Sequence, residues 1–169
     1  MQKEKIRLRK PKPSDLKEFR NVFDDREMVK QLAGYKYPFT EAEAKKSLKE
    51  TIRLNKKGDY YEFAIIYKNK FVGMVVLEKP TKDKKTFTLG YAVGRAYWGK
   101  GIASEAVKRI INFGFNKLRL KKIVADNDED NPASARVLEK NGFLFLKKGK
   151  RKKGKTRKNI NILYWERKR

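Results

Sequence analysis

The chain has 169 residues, a formal net charge of +25 and a hydrophobic fraction of 39%. This length and composition predict one folded domain with its own core and argue against a disordered chain. Because the sequence contains no cysteine and no histidine, it excludes disulfides, thiolate metal sites, a cysteine nucleophile and a histidine base. Any catalysis must therefore use carboxylates, hydroxyls, lysines, water or the backbone.

The positive charge comes from 45 lysines and arginines against 20 acidic residues. Such an excess favours anionic partners, among them nucleic acid, ribosomes and phosphate-bearing cofactors. A lysine-rich solvated surface is the alternative explanation. No apolar run approaches the roughly 20 residues of a membrane span, and the first ten residues lack the apolar core of a signal peptide. We therefore expect a cytoplasmic protein with no membrane segment.

The first half of the chain changes from a helical to a strand-like pattern. Its predicted elements are a strand over 5–10, a helix from 13 to a break at 33–39, a helix from 40 to 58, a hairpin over 61–79 and a strand over 86–94. The second helix has the clearest start, because Thr40 followed by Glu43 forms a capping box. From Tyr61 onward, β-branched and aromatic residues dominate, and these favour strands.

The second half alternates strands and helices. It predicts a glycine turn, a helix from 103 to 118, a strand over 121–126, a helix from 131 to 142, and strands over 143–146 and 159–166 with a basic connection between them. There is neither an internal repeat nor a linker. The prediction is thus a single α/β (α+β) domain over 1–169, with a mixed sheet of six or seven strands flanked by about four helices.

The turn "YWGKGIASEA" at 97–106 follows a predicted strand and opens a predicted helix. Glycines there let backbone N–H groups approach an anion, and the helix dipole adds to the attraction. The amides of residues 98–103 would then converge on one phosphate group. The turn matches neither the nucleoside-triphosphate loop nor the dinucleotide fingerprint. A tight turn without a ligand is the alternative.

Two separated motifs, "LGYAVGRAYWGKGIASEAVKRIINFGF" and "NPASARVLEKNGF", carry a resemblance to a known family. With the order of elements, they resemble the GNAT superfamily of acetyl-CoA-dependent N-acetyltransferases. The sequence is most similar to the branch that includes the Rim-type acetyltransferases of ribosomal-protein N-termini. The resemblance runs from about residue 5 to the end and is strongest over 86–146.

The resemblance implies where acetyl-CoA would bind. The pyrophosphate would lie on the turn, and the pantetheine arm would pair with the preceding strand and touch the start of the next helix, with Lys100 and Arg95 adding charge for the phosphates. The implied cofactor-binding residues are Tyr91, Ala92, Val93, Trp98, Gly99, Lys100, Gly101, Ile102, Ala103 and Asn131. No metal is implied.

The catalytic residues implied by the resemblance are Ser134 and Glu78. Ser134 stands where some relatives place a hydroxyl near the thioester sulfur, while Leu138 occupies the position of the tyrosine acid found in many others. At the strand position where the family commonly has a catalytic glutamate, this sequence has Thr88. Glu78 on the neighbouring strand is therefore the alternative base, acting through water. A base-free attack by a positioned neutral amine is also consistent with the sequence.

The acceptor is predicted to be a primary amine, in particular a protein N-terminal amine. The acidic segment 126–131, expected as a loop, would receive the amine, and the basic segment 147–158 would contact a ribosome or RNA. The alternatives are a polyamine or aminoglycoside acetyltransferase, and a basic RNA- or ribosome-binding module that keeps the fold without the chemistry. The oligomeric state is open.

Overall fold

The computed structural model describes residues 6–32, 35–79, 83–153 and 158–169. These form a seven-stranded mixed sheet with strand order β1-β2-β3-β4-β5-β7-β6. The strands are β1 Arg7–Arg9, β2 Tyr60–Tyr67, β3 Lys70–Glu78, β4 Thr86–Val93, β5 Lys122–Asp128, β6 Leu144–Lys153 and β7 Lys158–Lys168. The predicted α/β class with a mixed sheet is confirmed.

Only one strand pair in the described sheet is parallel. β1 to β4 form an antiparallel meander, β4 and β5 run parallel, and β7 pairs antiparallel with both β5 and β6. The β2–β3 hairpin turns at Lys68 and Asn69, which both have positive φ, as two-residue hairpin loops require. The predicted hairpin and its turn are therefore confirmed.

Five α-helices cover the two faces of the described sheet. They are α1 Leu16–Phe23, α2 Arg26–Gln31, α3 Glu41–Leu54, α4 Ile102–Asn116 and α5 Pro132–Lys140. α4 and α5 pack on one face around Val75, Ile110 and Ile123. α1 and α3 contribute Phe19 and Leu48 to a second core on the other face. Burying apolar side chains on both faces supplies the main driving force for this fold.

The capping box predicted for the third helix is present. The Glu43 amide donates to the Thr40 hydroxyl at 3.3 Å, and the Thr40 amide donates to the Glu43 carboxylate at 3.1 Å. The single helix predicted from residue 13 is wrong, because two acidic residues divide it. The Asp24 carboxylate accepts the Phe39 amide at 2.7 Å, and the Asp25 carboxylate caps the separate helix α2.

The predicted basic connection between the last two strands is also wrong over most of its length. β6 continues to Lys153 and pairs with β7 throughout, apart from an irregularity near Phe145. In addition, β5 extends two residues beyond its predicted end, to Asp128. Within the part of the chain that is described, no helix is long and apolar enough to cross a membrane.

Candidate active site

A gap opens between β4 and β5. Their parallel pairing ends at Thr88 and Val124, yet β4 continues to Val93 and β5 to Asp128. The two strands therefore diverge beyond their last pair and leave a wedge between them. Ligands in open α/β sheets favour such a crevice at the carboxyl ends of the strands.

The edge of β4 that faces this gap carries backbone hydrogen-bonding groups. The Gly94 amide donates to the Val72 carbonyl on β3 at 2.8 Å. Because peptide groups alternate along an antiparallel ladder, those of Tyr91 and Val93 are directed away from β3, into the gap. The Val93 carbonyl accepts the Trp98 indole N–H at 2.6 Å. An extended ligand can therefore pair with the remaining groups as an added strand does.

The glycine turn follows directly at the open end of the gap. Gly99 and Gly101 have φ values of +75° and +74°, and a Cβ built on either would meet no atom within 4 Å. Gly101 precedes the 15-residue helix α4, and no side-chain cap bonds to that helix start within the described residues. The first N–H groups of a helix lack intrahelical partners, so those of Ile102 and Ala103 suit an anion.

Three residues predicted to serve the phosphates have other contacts. The Trp98 amide donates to the Arg95 carbonyl at 3.1 Å, so it does not join the open amides of the turn, and the predicted set of six is corrected to five. The Arg95 guanidinium pairs with the Asp25 carboxylate at 2.9 Å. The Lys100 amine lies 5.4 Å from the centre of the Tyr97 ring.

The gap and the turn belong to one cleft of about 650 Å³. Every predicted site residue except Arg95 and Lys100 lines it, including Ser134 from α5 and Glu78 from the end of β3. The fold thus brings together residues from β3, β4, the turn and two helices.

Ser134 is held in place at the side of the cleft. The Asn131 side chain accepts the Ser134 amide at 3.1 Å as the cap of α5. The Tyr91 hydroxyl lies 2.8 Å from the Ser134 hydroxyl and 3.1 Å from the Ser134 carbonyl, and it can donate its one proton to either oxygen. Burial raises the pKa of Tyr91 to about 12, with the Ser134 contact acting in the opposite direction. The phenol is therefore neutral and available as a hydrogen-bond donor.

The acidic segment differs from its prediction as a loop. Asp126 and Asp128 belong to β5, and both bind Arg151 of β6, at 2.6 Å and 2.9 Å. The next acidic residue, Glu129, pairs with Lys148 at 2.5 Å. The acidic segment and the basic strand thus partly neutralise each other. Burial raises the pKa of Asp126, Arg151 lowers it, and Asp128 raises it further, with a net rise.

The sequence analysis missed the contribution of α2 to the cleft. Met28, Gln31 and Leu32 line it, and the Asn131 side-chain amide donates to the Gln31 side-chain oxygen at 3.3 Å. The Asp25 cap was the available sign of a separate helix here. Within the described ranges, no group of three or more Asp, Glu, His or Cys side chains could hold a metal ion.

Comparison with known proteins identifies the family. A model described as Acetyltransferase (GNAT) domain matches residues 5–144. The uncharacterized N-acetyltransferase p20 of Bacillus licheniformis is 31% identical over 149 residues, which cover 86% of this chain and 82% of that protein. The ribosomal-protein-serine acetyltransferase of Escherichia coli (strain K12) is 26% identical over 106 residues, which cover 63% and 59% of the two chains.

Solved structures agree with this result at the level of fold. The microcin C7 self-immunity acetyltransferase MccE, in complex with acetyl-CoA and AMP, superposes with a TM-score of 0.87. Its sequence is 19% identical, and the match covers 97% of this chain and 92% of that one. With the family model spanning most of the sequence, the predicted resemblance is confirmed, and the chain belongs to the GNAT family as an acetyl-CoA-dependent N-acetyltransferase.

Proposed function

We propose that this enzyme transfers an acetyl group from acetyl-CoA to the N-terminal amine of a protein, by direct attack of the amine on the thioester. The observation that carries the proposal is the continuity of the β4–β5 gap with the glycine turn inside one cleft. The turn suits the phosphates of the cofactor, and the gap suits its amide-bearing arm. The use of acetyl-CoA also favours a cytoplasmic enzyme.

The residues fit acetyl-CoA in three ways. The turn leaves open space over Gly99 and Gly101, where a pyrophosphate would approach the amides. The edge of β4 at Tyr91 and Val93 offers peptide groups to the pantetheine amides. Asn131 at the start of α5 completes the proposed binding set. When bound, acetyl-CoA supplies an activated acyl group that a neutral amine can attack.

We propose that Ser134 assists the departure of the thioester sulfur. Its hydroxyl would donate a hydrogen bond to the sulfur as negative charge develops there during C–S cleavage. Tyr91 has one hydroxyl proton, and when it donates that proton to the Ser134 hydroxyl oxygen at 2.8 Å, the serine proton is left for the sulfur. Ser134 would thus take the role of the tyrosine acid found in many relatives, because this sequence has Leu138 at that position. Glu78, at the end of β3, is the proton acceptor that the sequence predicts.

Changing Tyr91 to phenylalanine is expected to lower kcat about fivefold while the Kd for acetyl-CoA stays within twofold. The ring and the backbone of Tyr91 remain, and only the hydroxyl that fixes the Ser134 rotamer is lost, which costs about 1 kcal/mol. Steady-state turnover and calorimetry with acetyl-CoA measure the two quantities. An equal loss of cofactor affinity would show that the phenol supports binding instead.

A protein N-terminus is the favoured acceptor for two reasons. A relative, the Escherichia coli protein, is a ribosomal-protein-serine acetyltransferase. The enzyme carries a net charge of +25, which repels a free polyamine at long range, whereas an N-terminus brings a single charge. The edge strand β6, with Lys147, Lys150 and Lys152, suits phosphate-rich surroundings such as a ribosome or RNA.

The acceptor proposal predicts a higher kcat/KM for N-terminal peptides of ribosomal proteins than for spermidine at physiological salt. Long-range repulsion of a polyamine lowers its encounter rate, and the effect weakens as salt screens it. Parallel assays that detect released coenzyme A provide the comparison. If the kcat/KM for spermidine is ten times that for the peptides or more, the substrate class is a polyamine and not a protein N-terminus.

The alternative of a basic RNA- or ribosome-binding module rests on the same strand. β6 lies at the edge of the sheet, so its lysines are accessible for phosphate contacts without base recognition. Arg151 and Lys148 are, however, engaged with acidic residues, which weakens this alternative. RNA binding that survives at physiological salt, together with no acetyl-CoA binding at millimolar concentration, would favour it.

A further inference from the structure

The gap offers a second carboxylate, besides Glu78, to the incoming amine. We infer that Asp126, at the open part of the gap on β5, is the catalytic residue that accepts the proton of the acceptor ammonium. The inference rests on the proposed amine acetylation. It deepens that proposal by assigning the base to a residue that neither the motif nor the spacing of the sequence indicates.

The strand register puts Asp126 beside the reacting region. β4 and β5 pair last at Thr88 and Val124, so two residues further on Gly90 and Asp126 face each other across the gap. Glu78 is paired with Thr88 instead, which places it at the closed end of the gap and on the far side of β4. Of the two carboxylates, only Asp126 lies on a strand that borders the open gap.

The residues of β5 alternate between the two faces of the sheet. Ala125 packs in the core beneath α4 and α5, and Asn127 accepts the Trp165 indole N–H at 2.6 Å. Asp126, between them, projects to the opposite face, where it meets Arg151. The acceptor would therefore approach from the face of Asp126.

Ser134 stands on the other side of the gap. Its partner Tyr91 packs against the core beneath α4 and α5, on the face opposite to Asp126. A proton acceptor and a donor to sulfur are thus held on opposite faces of one gap. This suits a displacement in which the amine enters from one side and the sulfur leaves toward the other.

The proton balance closes with these two groups. Asp126 takes one proton from the ammonium, and the neutral nitrogen then forms its bond to the acetyl carbon while the C–S bond breaks with its electron pair on sulfur. The nitrogen loses its second proton to water in the cleft, the sulfur gains the proton of the Ser134 hydroxyl, and Ser134 regains one from water. Asp126 returns its proton to solvent at the cleft mouth, so one proton is released in each turnover.

The charges around Asp126 support this role. Arg151 of β6 contacts it at 2.6 Å, Asp128 follows on its own strand, and Tyr164 of β7 is its cross-strand neighbour. Lys147 lies over the Tyr164 ring at 5.6 Å, and Glu78 lies beyond β4. Burial raises the pKa of Asp126 against the effect of Arg151, and a raised pKa makes a carboxylate a better proton acceptor.

The test compares Asp126→Asn with Asp59→Asn. Asp59 is an exposed carboxylate just before β2 and is not among the residues that line the cleft, so its change removes the same charge without touching the cleft. Each purified enzyme is assayed with acetyl-CoA and a hexapeptide that begins with serine, and with spermidine as a second acceptor, from pH 5 to 9. Calorimetry with acetyl-CoA gives the cofactor affinity separately.

We expect Asp126→Asn to lower kcat at least tenfold at pH 7, with the acetyl-CoA Kd within twofold and the kcat of Asp59→Asn unchanged. The wild-type kcat should fall as the pH drops through the pKa of Asp126, and this fall should disappear in Asp126→Asn. Arg151→Gln removes the charge that lowers that pKa, so the fall should move to higher pH. A purely structural role would not move the pH profile.

Three results would overturn the inference. The first is an equal kcat for the Asp126 and Asp59 variants, and the second is an acidic fall of kcat that persists in Asp126→Asn. The third is a loss of that fall in Glu78→Gln instead, which assigns the proton to Glu78. In all three cases wild-type transfer remains and the proposed function stands. If the wild-type enzyme acetylates neither acceptor, both proposals fail together.

Discussion

Replacing Gly101 with valine is expected to raise the Kd for acetyl-CoA at least a hundredfold while the chain keeps its fold. No atom lies within 4 Å of an ideal Cβ at Gly101. A valine side chain would occupy this open space over the turn, where the phosphates would approach. Charge-assisted bonds to an anion contribute about 1.5–3 kcal/mol each. Losing two of them corresponds to roughly a hundredfold or more in Kd. Calorimetry with acetyl-CoA measures the loss.

Gly58→Val is the matched control. Gly58 has a φ of +80°, so valine suffers the same backbone strain there, about 1–3 kcal/mol, but the position lies between α3 and β2, outside the cleft. The two variants should unfold at similar denaturant concentrations, and only Gly101→Val should lose the cofactor. If Gly101→Val binds acetyl-CoA with the wild-type affinity, the phosphates of the cofactor do not bind at this turn.

Features that depend on neighbouring residues were predictable from the sequence. The Thr40–Glu43 box closes within one helical turn, and the hairpin turn at Lys68 and Asn69 needs only the residues beside it. The glycine turn belongs to the same class, because its shape is set by the φ values of Gly99 and Gly101. Local physical chemistry therefore located both the scaffold elements and the glycine turn.

Features that depend on partners in other elements were not predictable. β6 reaches Lys153 because β7 offers it a continuous ladder of backbone partners, which outweighs the weak strand preference of a lysine-rich segment. The division of α1 from α2 depends on Asp24 meeting the amide of Phe39. Phe39 lies 15 positions from Asp24, and the partners of the lysine-rich part of β6 lie in a different strand, so the composition and periodicity of either segment alone contain no sign of the contact.

The same distinction applies to the side chains of the candidate site. Tyr91 was predicted for its backbone, but its hydroxyl contacts Ser134, which lies 43 positions along the chain. Asp126 was predicted within an acidic loop, but it forms part of a strand and binds Arg151, 25 positions away. The chemistry of the side chains was visible in the sequence, whereas their orientation required the sheet register.

Changing Ser134 to alanine is expected to lower kcat about a hundredfold while acetyl-CoA binds with an affinity within twofold of that of the wild-type enzyme. The hydroxyl would act as charge develops on sulfur, and removing one such donor to a developing anion lowers turnover by about 10²–10³-fold. The ground-state cofactor carries no charge on sulfur, so binding should change little. Release of coenzyme A with a serine peptide measures kcat, and calorimetry measures the affinity.

The surroundings of Ser134 make this variant a test of chemistry and not of folding. Asn131 caps the backbone amide of residue 134, which alanine retains. The Tyr91 hydroxyl keeps its bond to the carbonyl of residue 134 at 3.1 Å, so no buried donor is left without a partner. Ser47→Ala on α3 removes the same atom outside the cleft and should leave kcat unchanged. If Ser134→Ala turns over as fast as Ser47→Ala, Ser134 has no part in the departure of the sulfur and serves only the helix.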